Sequence, residues 1–451
     1  MSIEERTSEG LVAQLGRFVH RIPYEELPAE VKEMAKARIL DTLSCCIAGR
    51  DFPPSRIAAS LAEDSSGDCT VVGYSHTASM LDAALANGVM AHSTSQDDLI
   101  AGVAHPGSVV VPTAIAVAEQ EGASGAEVLL AIVLGYELVW RILRATGPLW
   151  SAAFRPGTIF TTFGAAAAAG RLMGLSEQQL THALGYAASL TPGSPNEGWW
   201  GGTMEPMFEI GMTARIGILS ALFARSGATA APSVLEGRHG FFRCWSGAVE
   251  NMTQATKDLG QSFAIGRTYI KPFAACGANQ VPMQVASTLA RHRLKARDIV
   301  RVVEKLRPGA TDYAGLDYAG PFYSQIQALM SMQFCTAAAI LGQPVDTPWF
   351  IAEHYDDPEV ADLAAKVELV CEEGRSVPRF EVYTTDGRVL TAEDQTPDRS
   401  IHIPTIAGMQ EKFRTLAAGF LDKAAVEGVI GLVMNVDTVK NIQELTAKLR
   451  R

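Results

Sequence analysis

Residues 161–174 read TTFGAAAAAGRLMG. The run Ala165–Ala169 combines high helix propensity with minimal side chains, so it predicts a helix that other helix backbones can approach closely. Helix signals recur on both sides of it. Pro28-Ala-Glu-Val-Lys opens a helix with proline in the first turn and acid nearby, running to Gly49 as a stop. Further helices are expected over Ser79–Ala91, Val111–Gln120 and Gly125–Leu143, the last entered through Ser124-Gly125. Ser176-Glu-Gln-Gln starts another with a serine cap and an acidic first turn. Thr213–Ser226 follows and ends at Gly227.

The pattern changes near residue 265. Ile299–Leu306 and Val367–Cys371 alternate as strands do, and Phe380–Tyr383 and Val389–Ala392 flank Thr385-Asp386-Gly387, a hairpin-turn signal. Helices are expected between them at Val281–Arg293 and Tyr323–Leu341. From about Pro404 the chain turns helical again, at Met409–Leu421, Lys423–Leu432 and Val439–Leu449. The expected fold is mainly α: a large all-helical domain built from both chain ends, 1–265 completed by 404–451, plus a smaller α+β lid domain, 266–403.

The 451 residues are 47% hydrophobic and 19% charged, with a net charge of −11 at pH 7. That acidic balance argues against a nucleic-acid partner, which needs a basic stripe. It also excludes disorder, because apolar residues are plentiful and charge runs are absent. The start, MSIEERTSEG, is acidic and is not expected to be a secretory signal. The uncharged stretch Leu99–Ala118 reaches membrane-span length but contains His105, Pro106 and Pro112. A buried loop leading into a core helix is expected there, and no membrane partner. The seven cysteines are scattered without CxxC or Cys/His ligand spacing, which fits a reducing, cytoplasmic setting and no metal.

Chemistry concentrates in Asn87-Gly88-Val-Met-Ala-His92-Ser-Thr-Ser95-Gln-Asp97-Asp98, followed by His105-Pro106-Gly107-Ser108. Two adjacent carboxylates sit in a loop, and a His-Pro-Gly turn opens a helix whose first amides favour a substrate carboxylate. His105 beside them can transfer protons near neutral pH. The competing reading makes His105 a loop cap and the aspartates ordinary turn residues. His92 reads as a helix-end histidine holding the Asp97-Asp98 loop, and His182 and Tyr136 as core residues within helical patterns.

Motifs in order along nearly the whole chain resemble the MmgE/PrpD family, which includes 2-methylcitrate dehydratase, cis-aconitate decarboxylase and iminodisuccinate epimerase. They begin with Ile39-Leu-Asp41-Thr42-Leu and Gly49, Asn87-Gly88 to His92, Asp97-Asp98 and His105-Pro106-Gly107. Gly135-Tyr136-Glu137 with Arg141, Phe163-Gly164 through Gly174-Leu, and His182-Ala-Leu-Gly185 follow. Glu236-Gly237 with Gly240-Phe241, Lys271-Pro272 with Cys276, and Glu411-Lys412-Phe413 complete the set. The resemblance implies a cofactor-free enzyme, commonly a homodimer, with a helical domain from both chain ends and an α+β lid.

Several family positions carry other residues here. The usual Asp-x-Asp-Asp-[Ser/Thr] is Ser95-Gln96-Asp97-Asp98-Leu99, and the Gly-[Phe/Trp]-His motif corresponds to Ala153-Phe154-Arg155. The basic Lys-[Arg/Pro]-Leu-His-x-Gly stretch corresponds to Glu205 through Gly211, with Glu209 at the histidine. Gln280 stands at another histidine position and Phe334 at a tyrosine, while His105 and Lys271 are retained. Opposite charges at ~4 Å with an effective dielectric of about 20 interact by about 4 kcal/mol, so exchanging cations for Glu205 and Glu209 disfavours a tricarboxylate.

The resemblance thus points to proton abstraction next to a carboxylate or carbonyl of a small-molecule substrate, with elimination, or alternatively isomerisation, epimerisation or cyclisation, or a catalytically silent binding role. His105 is the expected proton shuttle, with Asp97 and Asp98 orienting it or serving as base. Lys271 and Arg155 are expected to hold the activating carboxylate. Ser95, Gly107, Trp200, Glu205, Glu209, Gln280 and Phe334 complete the expected substrate-binding set. Arg155 reads equally as a salt-bridge residue at a helix start, and Lys271, without the resemblance, as a solvated linker residue. Trp199-Trp200 reads either as a pocket wall or as simple packing.

Overall fold

The computed structural model describes residues 9–147, 149, 154–247, 249–393 and 405–451. The alanine-rich segment forms the helix Gly157–Leu172, which packs against Gly125–Thr146 and Glu205–Arg225. Small residues make these crossings possible. A Cβ added to Gly217 would lie 2.2 Å from Cβ of Ala165, and one on Gly164 would lie 2.7 Å from the Gly135 carbonyl oxygen. Backbones approach here at distances that larger side chains would prevent.

The local signals act where their chemistry predicts. Ser124 and Ser176 form reciprocal caps with Glu127 and Gln179 at the starts of Gly125–Thr146 and Glu177–Leu190. The helix expected from Thr213 begins at Glu205 instead, because Pro206 falls in its first turn, where a missing N–H costs nothing. The helix expected over Tyr323–Leu341 is two, Gln325–Met330 and Met332–Ile340. Ser331 between them is extended (φ −60°, ψ 122°), and its hydroxyl accepts the Phe334 amide at 2.9 Å. Helices Leu11–Arg21 and Pro53–Glu63 were not expected. Near the C-terminus Val439–Leu449 holds only the short helix Gln443–Thr446 and single turns.

A four-stranded sheet has the spatial order Val367–Cys371, Ile299–Leu306, Arg379–Thr384, Val389–Glu393. The first pair is parallel, with Val302 opposite Val367, and the other two are antiparallel. The parallel pair needs a crossover connection, supplied by the helices between residues 325 and 364. The hairpin turns at Asp386-Gly387, with Gly387 at φ 85°.

Helix Ile406–Ala417 lies against Ala29–Gly49, and the Ile442 amide donates to the Ala123 carbonyl at 3.0 Å. The Gly73 amide likewise donates to the Leu449 carbonyl at 2.8 Å. The C-terminal segment therefore packs on elements near the start of the chain. Among the described residues one helix, Glu205–Arg225, is long and apolar enough to cross a membrane, but most of it is buried among other helices. Leu99–Ala118 comprises a short strand, a turn and the first part of the core helix Gly107–Glu121.

Candidate active site

Helix Met80–Ser93 carries His92 in its last turn, and the following loop turns sharply, with Ser95 at φ 49° and Ala101 at φ 52°. Two-residue strands Leu99–Ile100 and Thr268–Tyr269 pair antiparallel. That pairing brings the segment carrying Lys271 alongside the Asp97-Asp98 loop. Helix Gly107–Glu121 starts immediately beyond His105, with the Gly107 amide donating to Asp98 Oδ1 at 2.7 Å. Asp98 thus occupies the helix start expected to receive a substrate carboxylate. A Cβ on Gly107 would lie 2.7 Å from the same oxygen, so glycine is required for the contact.

Asp97 is the centre of the cluster and is fully buried. Its Oδ2 accepts from His92 Nδ1 at 2.9 Å and from the Ser108 hydroxyl, and lies 3.2 Å from His105 Nδ1. Lys271 Nζ stands 3.3 Å from Oδ1 but not in hydrogen-bonding geometry. Burial pushes the Asp97 carboxyl up, yet His105, His92 and Lys271 together hold it well below the usual carboxylate range.

The two histidines differ in what remains free. Arg155 Nη2 contacts His92 Nε2 at 2.9 Å, so both ring nitrogens of His92 are engaged, and burial pushes its pKa down to about 3. His105 Nδ1 donates to the Asp98 carbonyl at 3.0 Å, whereas its Nε2 has no hydrogen bond among the described residues. Burial also lowers the His105 pKa. His105 therefore rests neutral, with a defined tautomer and an unshared pair on Nε2.

Asp98 does different work. Its carboxylate also accepts the Tyr136 hydroxyl at 2.8 Å and lies 3.6 Å from Arg38 Nε, and burial pushes its pKa up to about 7. Both oxygens are committed to structure. Arg155 is tied as tightly: Nη1 donates to the Pro206 carbonyl at 2.9 Å, and the guanidinium lies over the Trp199 ring at 5.2 Å. Glu209 Oε2 is 3.7 Å from Arg155 Nη1, and its Oε1 accepts the Thr158 hydroxyl at 2.7 Å.

The structure thus brings together His105, Asp97, Asp98, Lys271, Arg155 and Glu209, with Gly107 supporting Asp98 and Ser95 buried in the turn before Asp97. Other expected residues lie apart. Glu205 is exposed and, with Glu209, Phe208 and Met212, lines an open groove of about 560 Å³. Trp200 is 56% exposed, whereas its neighbour Trp199 is buried edge-on to His92 at 6.1 Å. Gln280 spends its amide on the Phe273 amide and the carbonyls of Phe273 and Ala275, clamping that loop. Phe334 is buried against Phe322 at 5.0 Å, in the core of the α+β region. Ala153 lies outside the described residues.

Sequence reasoning gave no site role to Ser108, Tyr136 or Lys412, although all three fall within the motifs. Of the tryptophan pair read as pocket wall or packing, only Trp199 reaches the cluster. His92, Asp97 and His105 offer ligand atoms within 4.8 Å of one another. His92 Nδ1 is engaged with Asp97 Oδ2, His105 Nδ1 with the Asp98 carbonyl, and the Lys271 ammonium stands beside the same carboxylate, so these groups already form a hydrogen-bonded, charge-compensated cluster.

The family model of the MmgE/PrpD N-terminal domain matches residues 13–253, and that of the MmgE/PrpD C-terminal domain matches residues 273–437. The chain is 26% identical to a cis-aconitate decarboxylase of Aspergillus terreus (strain NIH 2624 / FGSC A1156), over 98% of this chain and 96% of the relative. It is also 26% identical to the cis-aconitate decarboxylase-like protein oryM of Aspergillus oryzae, over 99% of each chain. Cis-aconitate decarboxylase of Homo sapiens is 26% identical over 96% of this chain and 93% of its own.

Proposed function

The chain belongs to the MmgE/PrpD family, and from that premise we propose that it is a cofactor-independent lyase whose base is His105. The observation that carries this reading is the free Nε2 of a neutral imidazole whose Nδ1 faces the Asp98 carbonyl and the Asp97 carboxylate. His105 Nε2 removes a proton next to a substrate carboxylate or carbonyl. The imidazolium so formed is stabilised by Asp97, which stays ionised. Lys271 and Arg155 stabilise the enolate charge that develops on the substrate, and loss of a leaving group completes the elimination. In a decarboxylation no proton is abstracted first: the carbon–carbon bond breaks, carbon dioxide leaves, and His105 delivers a proton taken up from solvent to the carbanion that remains.

The substrate is proposed to carry fewer charges than a tricarboxylate. Glu209 lies close enough to Arg155 to offset part of its charge, and Arg155 already serves the Pro206 carbonyl and His92. We place the enzyme in the cytoplasm as a homodimer acting on a small molecule. Light scattering at twice the 48.2 kDa chain mass tests the dimer.

The decisive assay incubates the purified protein in deuterated water with cis-aconitate, 2-methylcitrate and a panel of mono- and dicarboxylic acids. An unsaturated or decarboxylated product, lost in His105→Ala, supports the lyase. Deuterium exchange at a stereocentre with no net loss identifies an isomerase or epimerase. No product and no exchange across the panel leaves a binding role.

A further inference from the structure

The mechanism above makes no use of Lys412, although its ammonium lies at the back of the cluster. We propose that Lys412 is a positioning residue: from a helix near the C-terminus it ties together the two main-chain segments that carry Asp97 and Lys271, and so sets the ion pair beside His105. This rests on the reading of His105 as base.

Three donors of Lys412 Nζ meet three acceptors: Asp41 Oδ1 at 2.6 Å, the Gln96 carbonyl at 2.7 Å and the Lys271 carbonyl at 3.2 Å. The Gln96 carbonyl belongs to the peptide that precedes Asp97, and the Lys271 carbonyl to the lysine itself. One ammonium therefore bridges the chain segments of both partners. Burial works against its charge, but Asp41, Cys45 and Asp97, which face it, keep the ammonium protonated.

The ion pair cannot hold its own spacing. Lys271 Nζ and Asp97 Oδ1 are 3.3 Å apart, and neither atom has a hydrogen-bond partner among the described residues. Their separation is therefore imposed by the two backbones. Gln96 adds a second tie, its Nε2 donating to the carbonyls of Pro272 at 2.6 Å and Asp346 at 2.8 Å. A cavity of about 260 Å³ bordered by Gln96, Lys271, Pro272 and Lys412 leaves these segments room to shift once the tie is cut. A misplacement of about 1 Å in such a site costs on the order of 100-fold in rate.

The test is Lys412→Met in the full-length protein. His105 is followed by NMR titration of carbon-labelled imidazoles, assigned with His105→Ala, and kinetics use whichever acid of the panel is turned over. Positioning predicts that kcat falls about 10–100-fold while KM changes less than about threefold, and that the His105 titration moves upward as Lys271, one of the cations that depress it, shifts away. A folded variant with an unchanged titration and kcat within about twofold overturns the proposal. Where Lys412→Met does not fold, Lys412→Gln is read by the same two measurements. The titration needs no substrate, so the two ideas fail separately. Activity retained in His105→Ala removes the base assignment, whereas an unmoved titration removes the role of Lys412.

Discussion

Arg155 Nη2 donates to His92 Nε2 at 2.9 Å, and Nδ1 of the same ring donates to Asp97 at 2.9 Å. His92 is thereby a fixed spacer: the cation at one end selects its tautomer and so directs its single N–H at the ionised carboxylate that orients His105. The Arg155 guanidinium never deprotonates. Its effect here is electrostatic and geometric. Arg155→Met is expected to raise KM for an anionic substrate about tenfold or more, since a charged hydrogen bond to substrate contributes about 1.5–3 kcal/mol. It is also expected to raise the His92 pKa, because Arg155 is one of the groups depressing it. Steady-state kinetics and histidine NMR check the two effects.

His105→Asn keeps the hydrogen bond to the Asp98 carbonyl but removes the basic nitrogen. The expected loss in kcat is about 10²–10⁴-fold, the usual contribution of a positioned general base, with little change in melting temperature. The acid limb of the pH–rate profile follows from the same residue. Burial depresses the His105 pKa below its ordinary value of 6.5. The base form thus persists to more acidic pH, and the midpoint of the limb is expected below 6.5. A midpoint above that value would assign the limb to another group.

Glu209 tests the substrate class. Glu209→Gln keeps the acceptor for the Thr158 hydroxyl and removes the charge 3.7 Å from Arg155. The kcat/KM ratio for a tricarboxylate over a monocarboxylate is expected to rise about tenfold, a change of about 1.4 kcal/mol at this partly screened site. An unchanged ratio would mean that Glu209 does not set charge preference. Glu205→Gln is the internal comparison. Its side chain is exposed at the helix start, and little effect on the ratio is expected.

These predictions draw on residues that were unequally legible in the sequence. Serine caps, the Asp-Gly hairpin and the alanine run depend on local chemistry, and they mark true element starts, turns and crossings. The His105-Pro106-Gly107 turn and Asp97-Asp98 were likewise legible, because titratable groups gather within a few residues. Side-chain direction was not. Trp199 and Trp200 are neighbours in the short helix Glu197–Gly201, yet one packs against His92 and Arg155 and the other faces solvent. Gln280 and Phe334 stand at positions matched by order along the chain, which says nothing about what they touch. Gly107 is different again: its amide meets Asp98 in a loop where Ser95 and Ala101 adopt left-handed conformations that their residue types disfavour.

Glu304 provides a test of the α+β region that is independent of catalysis. It sits fully buried on the strand Ile299–Leu306, with Oε2 accepting the Thr336 hydroxyl at 2.7 Å and Oε1 without a partner among the described residues. Burial raises its pKa from 4.5 to about 8. Below pH 4.5 both the folded and the unfolded chain keep this proton, and the contribution to stability is complete. Between about 4.5 and 8 the folded chain holds the proton that the unfolded chain has lost, so stability falls as pH rises, by at most about 1.4 kcal/mol per pH unit. Glu304→Gln does not titrate. The difference in unfolding free energy between wild type and Glu304→Gln, from denaturant melts at pH 5, 6, 7 and 8, is therefore expected to shift steadily in favour of the variant. A pH-independent difference would show that Glu304 keeps an ordinary pKa, with water or a cation reaching Oε1 in solution.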